Sequence, residues 1–499
     1  MLRIHNTLTK KIEEFTPLHP PKVGMYTCGM TVYDFAHIGH GRKYVGDDIL
    51  RRVLTRFGYN VTHIQNVTDV GHMTSDADEG EDKLEKGAIK AGKSVWEVAQ
   101  FFTDQFYASM DSLNVLRPHT ICKATDHISD QITLIQRLVA KKAAYDTPEA
   151  VYFDVGSFPS YATLFGQKLD DKRVAVRAEV EKGTHKRQPA DFVLWFKRAG
   201  KFKNHVMHWD SPWGDGFPGW HIECSAMSMK YLGDTIDIHT GGIDHIPVHH
   251  PNEIAQSEVA TGKLFVRYWI HHEFLKVDGK KMSKSLGNIY TVDDVVKKGF
   301  DPLALRYLYM SAHYRKILNF TWEALRSAQN ALNELRTAIS KFKYPSLPAG
   351  RQISNSKRNS LSQEKLEKVE AYQKKFNETL KDDLNLPQSL AVAWEVVKSN
   401  IPSEDKYDLL MDFDEVLGLD LGRETSIKVQ HLSLPQSKAS LATGVTLNQG
   451  TITNLDKREL ARMKGEYTVA DTIRKQIENQ EGVNIEDTPN GIFVKKKTS

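Results

Sequence analysis

The sequence predicts an α/β fold: a parallel-sheet domain carrying an insertion, then a helical bundle, then a small C-terminal α+β unit. Three observations predict it. A strand-like run at 23–28 leads into apolar positions Val45, Ile49, Leu50, Val53, Leu54 and Phe57 at helical spacing. The stop at Gly58 and the β-branched run at 60–67 complete a strand–helix–strand unit. Strand-like text at 235–239 halts at Gly241-Gly242, a loop suited to the carboxyl edge of a parallel sheet, where such sheets bind ligands. From Thr321 the pattern turns helical, with Trp322, Leu325, Leu332, Leu335, Ile339 and Phe342 on one face.

The elements between follow in order. Runs at 151–155 and 192–196, set among Gly and Pro, mark residues 118–201 as an insertion in the first domain, which spans 1–320. A second helical face carries Leu366, Val369, Phe376 and Leu380, and Pro387 opens a third helix, so 321–421 reads as a bundle with a polar connection at 344–362. Residues 422–453 read as a linker. In 454–499, Leu460, Met463, Val469, Ile473 and Ile477 suggest a helical hairpin before strand-like text at 483–494. A chain of 499 residues is too long for one core, which agrees with this division.

Composition excludes some functions. With 40% hydrophobic and 26% charged residues, the chain is an ordinary globular one, and its net charge of +4 does not demand a nucleic-acid partner. The first 18 residues lack an apolar core, so no secretory signal or membrane span is expected there. Three cysteines, Cys28, Cys122 and Cys224, give no disulfide framework and suit the cytoplasm.

Two basic motifs point to ATP. His37-Ile38-Gly39-His40 sits where the first helix begins, with both imidazoles on one face, and helix N-termini favour phosphate. Lys281-Met282-Ser283-Lys284-Ser285 offers two lysines on a loop after Asp278-Gly279. Either alone also reads as a solvated surface turn; both together, in this order and beside a strand and a helix, favour charge stabilisation during phosphoryl chemistry. A second signal is Cys28, Cys224, His249 and Glu253. Their spacing carries no metal motif, and a lone cysteine at a strand end is most often a small buried hydrophobe. Their context favours a metal, because Cys28 abuts the histidine motif, His249 precedes Glu253 by one helical turn, and two thiolates, an imidazole and a carboxylate suit tetrahedral zinc.

These residues lie in longer stretches that resemble the class I aminoacyl-tRNA synthetases, and among them the cysteinyl-tRNA synthetase family. The resemblance runs through Tyr26-Thr27-Cys28-Gly29-Met30-Thr31-Val32-Tyr33-Asp34, Asn66-Val67-Thr68-Asp69 and Trp209-Asp210-Ser211-Pro212-Trp213-Gly214. It continues in Gly219-Trp220-His221-Ile222-Glu223-Cys224-Ser225-Ala226-Met227, His249-His250, Asn252-Glu253-Ile254-Ala255-Gln256-Ser257, the lysine motif, and Asp487-Thr488-Pro489-Asn490-Gly491. It covers nearly the full length. It implies a Rossmann-like catalytic domain, an anticodon-binding bundle and tail, and a monomer that joins L-cysteine to tRNA(Cys) using ATP, with Mg2+ accompanying the nucleotide.

By the same resemblance, Zn2+ is held by Cys28, Cys224, His249 and Glu253 and binds the substrate thiolate. His37, Gly39, His40, Lys281 and Lys284 serve ATP and its transferring phosphate, and Gly241, Gly242 and Asp244 form the adenosine turn. Gly29, Thr68, Trp220 and His221 line the amino-acid pocket. Arg458, Arg462, Lys464, Arg474, Lys475 and the tail Lys495-Lys496-Lys497 are candidates for phosphate contacts.

This chain departs from the family at two places, reading Val70-Gly71-His72-Met73 and an acidic stretch after Asp69, and Pro251 where a glutamate is usual. His239, His245 and His250 are further imidazoles near the expected ligands. Rival readings are a cysteine-activating ligase acting on an amino sugar, which would lack the long tail, a zinc hydrolase, which leaves the lysine motif unused, and a tRNA-binding paralogue without catalysis.

Overall fold

The computed structural model describes residues 1–70, 82–161, 185–283, 286–342 and 363–423, and near the C-terminus residues 454, 458, 461, 467–480, 483–488 and 491–496. Two compact units result, Met1–Arg423 and Glu424–Ser499.

The first unit opens on a hairpin, β1 (Arg3–Asn6) with β2 (Lys11–Glu14), and then enters β3 (Lys22–Thr27). Helix α1 (Ile38–Arg56) turns its Val45, Ile49, Leu50, Val53 and Leu54 face into the core and returns the chain to β4 (Asn60–Val67). Ahead of the next strand come α2 (Lys83–Ala91) and α3 (Val95–Ser112), the latter started by a Ser94–Glu97 capping box. Then follow β5 (Thr120–Lys123) and α4 (Ile128–Ala140).

Four antiparallel strands form a separate layer: β6 (Ala144–Asp146), β7 (Ala150–Phe153), β8 (Phe192–Lys197) and β9 (Gly216–Pro218). This layer is offset from the stretch 118–201 expected as an insertion, because Thr120–Lys123 pairs in parallel with β4. Helix α5 (Trp220–Leu232) leads back to β10 (Ile236–Gly242), and α6 (His249–Thr261) joins it to β11 (Val266–His272).

The main sheet is parallel throughout, in the order β11-β10-β3-β4-β5. From β3 the chain first builds outward through β4 and β5, and later builds the other way through β10 and β11. The direction reverses between β3 and β10, the crevice where open α/β sheets bind ligands. Register places Thr27 beside Thr240, and Cys28 donates its N–H to the Thr240 carbonyl at 3.2 Å, so the loops leaving both strands start side by side.

Beyond β11 lie β12 (Leu275–Val277) and β13 (Lys280–Lys281), joined through Asp278 and Gly279, both at positive φ, 49° and 74°. An Asp-Gly pair suits this two-residue turn because its backbone twist matches that of the strands. Next come α7 (Val292–Lys297), α8 (Pro302–Met310) and β14 (Leu318–Phe320), which pairs with β12. The helical region is α9 (Trp322–Phe342), α10 (Gln363–Lys381), α11 (Leu386–Lys398) and α12 (Ser403–Leu417). Leu325, Leu332, Leu335 and Ile339 of α9 are buried, as are Phe376 and Leu380 of α10, and Phe376 stacks on Phe413 at 3.8 Å.

The second unit shows α13 (Tyr467–Gln480) and the antiparallel pair β15 (Val483–Thr488) and β16 (Gly491–Lys496). Arg458, expected to reach phosphate, is instead fully buried and cannot serve as a surface contact. Arg474 is bonded to Glu478 at 3.0 Å, while Lys475 is exposed. Leu460, Met463, Arg462, Lys464, Lys497, the linker at 424–453, the connection at 343–362, Pro489-Asn490 and the stretch 71–81 lie outside the described residues, and of the Lys495 and Lys496 side chains nothing is described. Among the described residues no helix is long and apolar enough to cross a membrane.

Candidate functional site

The two histidines of the first motif build the start of α1. His37 is its N-cap; the His40 N–H donates to His37 Nδ1 and the His37 N–H to His40 Nδ1, each at 3.2 Å, a reciprocal capping box. The rings stack at 3.6 Å. Since each Nδ1 accepts, each neutral ring carries its proton on Nε2, a tautomer assigned from the bonding. Burial holds the His37 imidazole down to about 4 and pushes His40 well below the ordinary histidine range, so near pH 7 the pair offers two neutral N–H donors.

The lysine motif meets this cap. A Cβ at Gly39 would stand 2.6 Å from Met282 Cε and 3.0 Å from the His37 ring, so the two motifs meet over this glycine. Asn288 ties the loop by accepting from the Ser283 N–H at 2.9 Å and donating to the Lys281 carbonyl at 3.1 Å. The Lys281 side chain is exposed; Lys284 and Ser285 lie outside the described residues.

Cys28, Cys224, His249 and Glu253 come together as a second cluster. They arrive from the end of β3, from α5 and from α6, and their ligand atoms all lie within 4.8 Å of one another, fully buried. The two sulfurs are 4.0 Å apart. A disulfide needs about 2.05 Å, whereas two thiolates at ~2.3 Å from one tetrahedral ion stand nearly 4 Å apart. His249 Nδ1 bonds His221 Nδ1 at 2.8 Å, which leaves Nε2 facing Glu253 Oε1 at 3.0 Å. Glu253 Oε2 is held by His239 Nε2 at 2.9 Å. The donor set thus fits a tetrahedral, thiophilic cation with its imidazole and carboxylate already oriented by neighbours.

Electrostatics agree with the donor chemistry. Burial alone would raise the Cys28 thiol, but the Cys224 hydrogen bond and the charge of His239 hold it well below the thiol range. Cys224 is pushed well up by burial and then by the neighbouring Cys28. His249 goes up to about 10: burial opposes this, and the Glu253 carboxylate outweighs it. A second set, Cys28, His239, His250 and Glu253, satisfies the same proximity, with His250 Nε2 3.5 Å from Cys28 Sγ. His250 differs in state, being held well below the ordinary imidazole range by burial.

The expected amino-acid residues surround this cluster. The Gly29 N–H donates to Asn66 Oδ1 at 2.7 Å, and Asn66 Nδ2 donates to Thr68 Oγ1 at 3.2 Å. A Cβ at Gly29 would overlap the Asn66 carbonyl oxygen at 1.6 Å. Trp220 stacks on the His249 ring at 4.2 Å. At the end of β10, a Cβ at Gly241 would stand 2.6 Å from His250 Cε1, and one at Gly242 would stand 2.2 Å from Asp244 Oδ1. The Asp244 side chain is 62% exposed, available to a ligand hydroxyl.

Sequence reasoning missed several groups here. Lys43 Nζ and Tyr44 Oη both donate to the Cys28 carbonyl, at 2.6 and 3.2 Å, and their i+15 and i+16 spacing gave no signal. Glu223 is a fully buried carboxyl that burial pushes well above its usual range; its place beside Cys224 was the one available hint.

Residues 14–330 match the family described as tRNA synthetases class I (C) catalytic domain. The chain is 43% identical to the cysteine–tRNA ligase of Treponema denticola, over 97% of this chain and 98% of that one. It is 43% identical to cysteine–tRNA ligase 1 of Burkholderia lata, over 98% and 96%, and 40% identical to the cysteine–tRNA ligase of Chlorobaculum tepidum, over 99% of each. The fold resembles the Agrobacterium radiobacter LeuRS–tRNA–LeuAMS complex with a TM-score of 0.57 and 12% identity, covering 81% of this chain and 84% of that one. It also resembles the Mycobacterium tuberculosis methionyl-tRNA synthetase complexed with methionyl-adenylate, with a TM-score of 0.51 and 16% identity, over 80% and 90%. Full-length identity at this level, on a class I fold, places the chain in the cysteine–tRNA ligase family.

Proposed function

We propose that the chain activates L-cysteine with ATP and transfers it to the terminal adenosine of tRNA(Cys). The observation that carries the reading is the juxtaposition at the switch point: a histidine cap after β3, opening α1, beside a cluster of two thiols, an imidazole and a carboxylate.

The residues divide the work. Substrate carboxylate is already ionised at neutral pH, so the first step needs no general base, only alignment with the α-phosphorus and stabilisation of charge. His37 and His40 present their Nε2–H groups to the phosphate, and being neutral they do so without proton exchange. Lys281 and Lys284 add positive charge, and Mg2+ accompanies ATP. Gly241 and Gly242 admit the adenosine, with Asp244 accepting from ribose hydroxyls. Gly29 and Thr68 face the amino acid, and Trp220 and His221 fix the His249 ring by stacking and hydrogen bonding.

Cys28, Cys224, His249 and Glu253 would hold zinc, which when bound supplies preference for a thiolate over a hydroxyl. Pocket size alone separates cysteine from serine only modestly, since the two differ by one atom. The bundle at 321–421 and the unit at 454–499 would bind the anticodon arm, with Arg474 and Lys475 as phosphate contacts. The chain is read as a cytoplasmic monomer.

The test is cysteine-dependent ATP–pyrophosphate exchange followed by transfer to tRNA(Cys) or to an amino sugar. Exchange with cysteine and transfer to tRNA are expected. Equal exchange with serine would sink the thiolate-selection argument, and acceptance by the sugar alone would replace the tRNA.

A further inference from the structure

His245 has no role so far, yet it stands where the two halves of the site meet. It ends the short turn Ile243–His245 after β10, across the switch point from the loop bearing His37 and His40. Its ring centroid is 5.1 Å from that of His249, 5.0 Å from that of His250 and 6.0 Å from that of Trp220. Nδ1 is buried without a hydrogen-bond partner among the described residues, although the side chain is 18% exposed. Nε2 lies 3.8 Å from Asp244 Oδ2, beyond hydrogen-bond reach.

The backbone makes room for this ring. A Cβ at Gly241 would stand 2.8 Å from His245 Nδ1, so the missing side chain leaves that nitrogen facing the turn that receives the nucleotide. A buried polar atom left without a partner carries a desolvation penalty, which a ligand placed there would remove. A cysteine whose sulfur is held at the thiol cluster has its carboxyl carbon only three bonds, roughly 3 Å, further on. That carbon must point from the thiol cluster toward the histidine cap, which takes it past His245.

We infer that His245 donates a hydrogen bond from Nδ1 to the carboxylate of the bound amino acid and so contacts the reacting group. One carboxylate oxygen forms the bond to the α-phosphorus, the bridging bond to pyrophosphate breaks, and pyrophosphate leaves with that electron pair. The His245 proton stays on Nδ1 throughout. This inference rests on the ligase reading above.

Three variants of the full chain test it by pyrophosphate exchange, zinc content and thermal melting. In His245→Leu the donor is gone, and kcat for exchange is expected to fall about 10- to 100-fold, the loss of one hydrogen bond to a charged group. Zinc per chain and the KM for ATP should stay within about 2-fold of the parent. His245→Asn places an amide N–H near the position of Nδ1 and should stay within about 5-fold of the parent. His245→Gln places its donor near Nε2 and should fall with leucine. Parental kcat in His245→Leu overturns the inference, as does loss of zinc from it, or asparagine no better than glutamine at equal melting temperature. If the leucine variant fails to fold, the asparagine–glutamine comparison decides alone. Absence of exchange in the parent would overturn the ligase reading instead.

Discussion

Arg306 joins the helix that begins at the histidine cap to the helical region, and replacing it with methionine should destabilise the first unit sharply. The side chain is fully buried on α8. Nη2 meets Asp48 Oδ2 of α1 at 2.6 Å, Nε donates to the Leu417 carbonyl at 2.6 Å, and Nη1 donates to the Leu113 and Asn114 carbonyls, each at 3.0 Å. Arg306→Met would preserve much of the volume and take the arginine donors from the Leu417 and Leu113 carbonyls, while the Asn114 carbonyl keeps its bond from Arg52 Nη2 at 2.9 Å. Asp48 would keep two partners, Arg52 Nε at 2.8 Å and the Leu116 N–H at 2.9 Å, so its charge would not be left alone. Breaking a buried pair costs about 3–5 kcal/mol, and the surviving Asp48 partners argue for roughly 4. With an unfolding entropy of about 2.1 cal/mol/K per residue, the unit Met1–Arg423 should lose about 4–5 °C in Tm. Scanning calorimetry of the full chain reads this directly. Arg306→Lys, which keeps the charge but loses the planar fork, should fall between the two. A shift below about 1 °C for methionine would refute the claim that this arginine organises the junction.

Other perturbations give separable outcomes. Cys224→Ser should lower zinc per chain and reduce exchange with cysteine by about 10-fold or more, measured by metal analysis and pyrophosphate exchange; unchanged zinc would mean the wrong ligands were chosen. Gly29→Ala drives a Cβ into the Asn66 carbonyl and should cost about 4 kcal/mol or prevent folding, read by urea titration. Asp47 is held at about 2, burial being outweighed by Lys43 and His272. A depressed carboxyl stabilises above its unfolded value near 3.8, and that contribution disappears as pH falls through about 2. Asp47→Asn should therefore cost about 2 kcal/mol at pH 7, with the gap to the parent closing between about pH 4 and 2; a gap independent of pH would exclude the ion pair as its source.

Legibility followed the kind of signal each element leaves. The first strand–helix–strand unit, β10 and the faces of α9 and α10 were readable because buried apolar residues repeat at the period of their element. The offset at 118–201 has a physical reason: β5 is four residues, Thr-Ile-Cys-Lys, too short to show alternation, and only its pairing with β4 assigns it to the parallel sheet. The capping box Ser94–Glu97 was a usable marker of α3 that went unread. At the site, Cys28, Cys224, His249 and Glu253 assemble as the family resemblance implied. Nothing in the spacing marks Lys43 or Tyr44, since their roles depend on which carbonyl the fold brings to them. Arg458 misled for the opposite reason: an arginine in a basic, helical stretch reads as solvated, and only burial reveals otherwise.

The reciprocal cap of His37 and His40 gives the histidine motif an acid cut-off. Each ring spends its one acceptor nitrogen on the other residue's amide, so a proton added to either ring removes a cap and the neutral donor together. The first turn of α1 and the phosphate contact proposed for these rings would then fail in one event, near the value of about 4 to which His37 is held. The three-residue spacing is the reach of that mutual embrace, so a single residue inserted between the histidines would undo both at any pH.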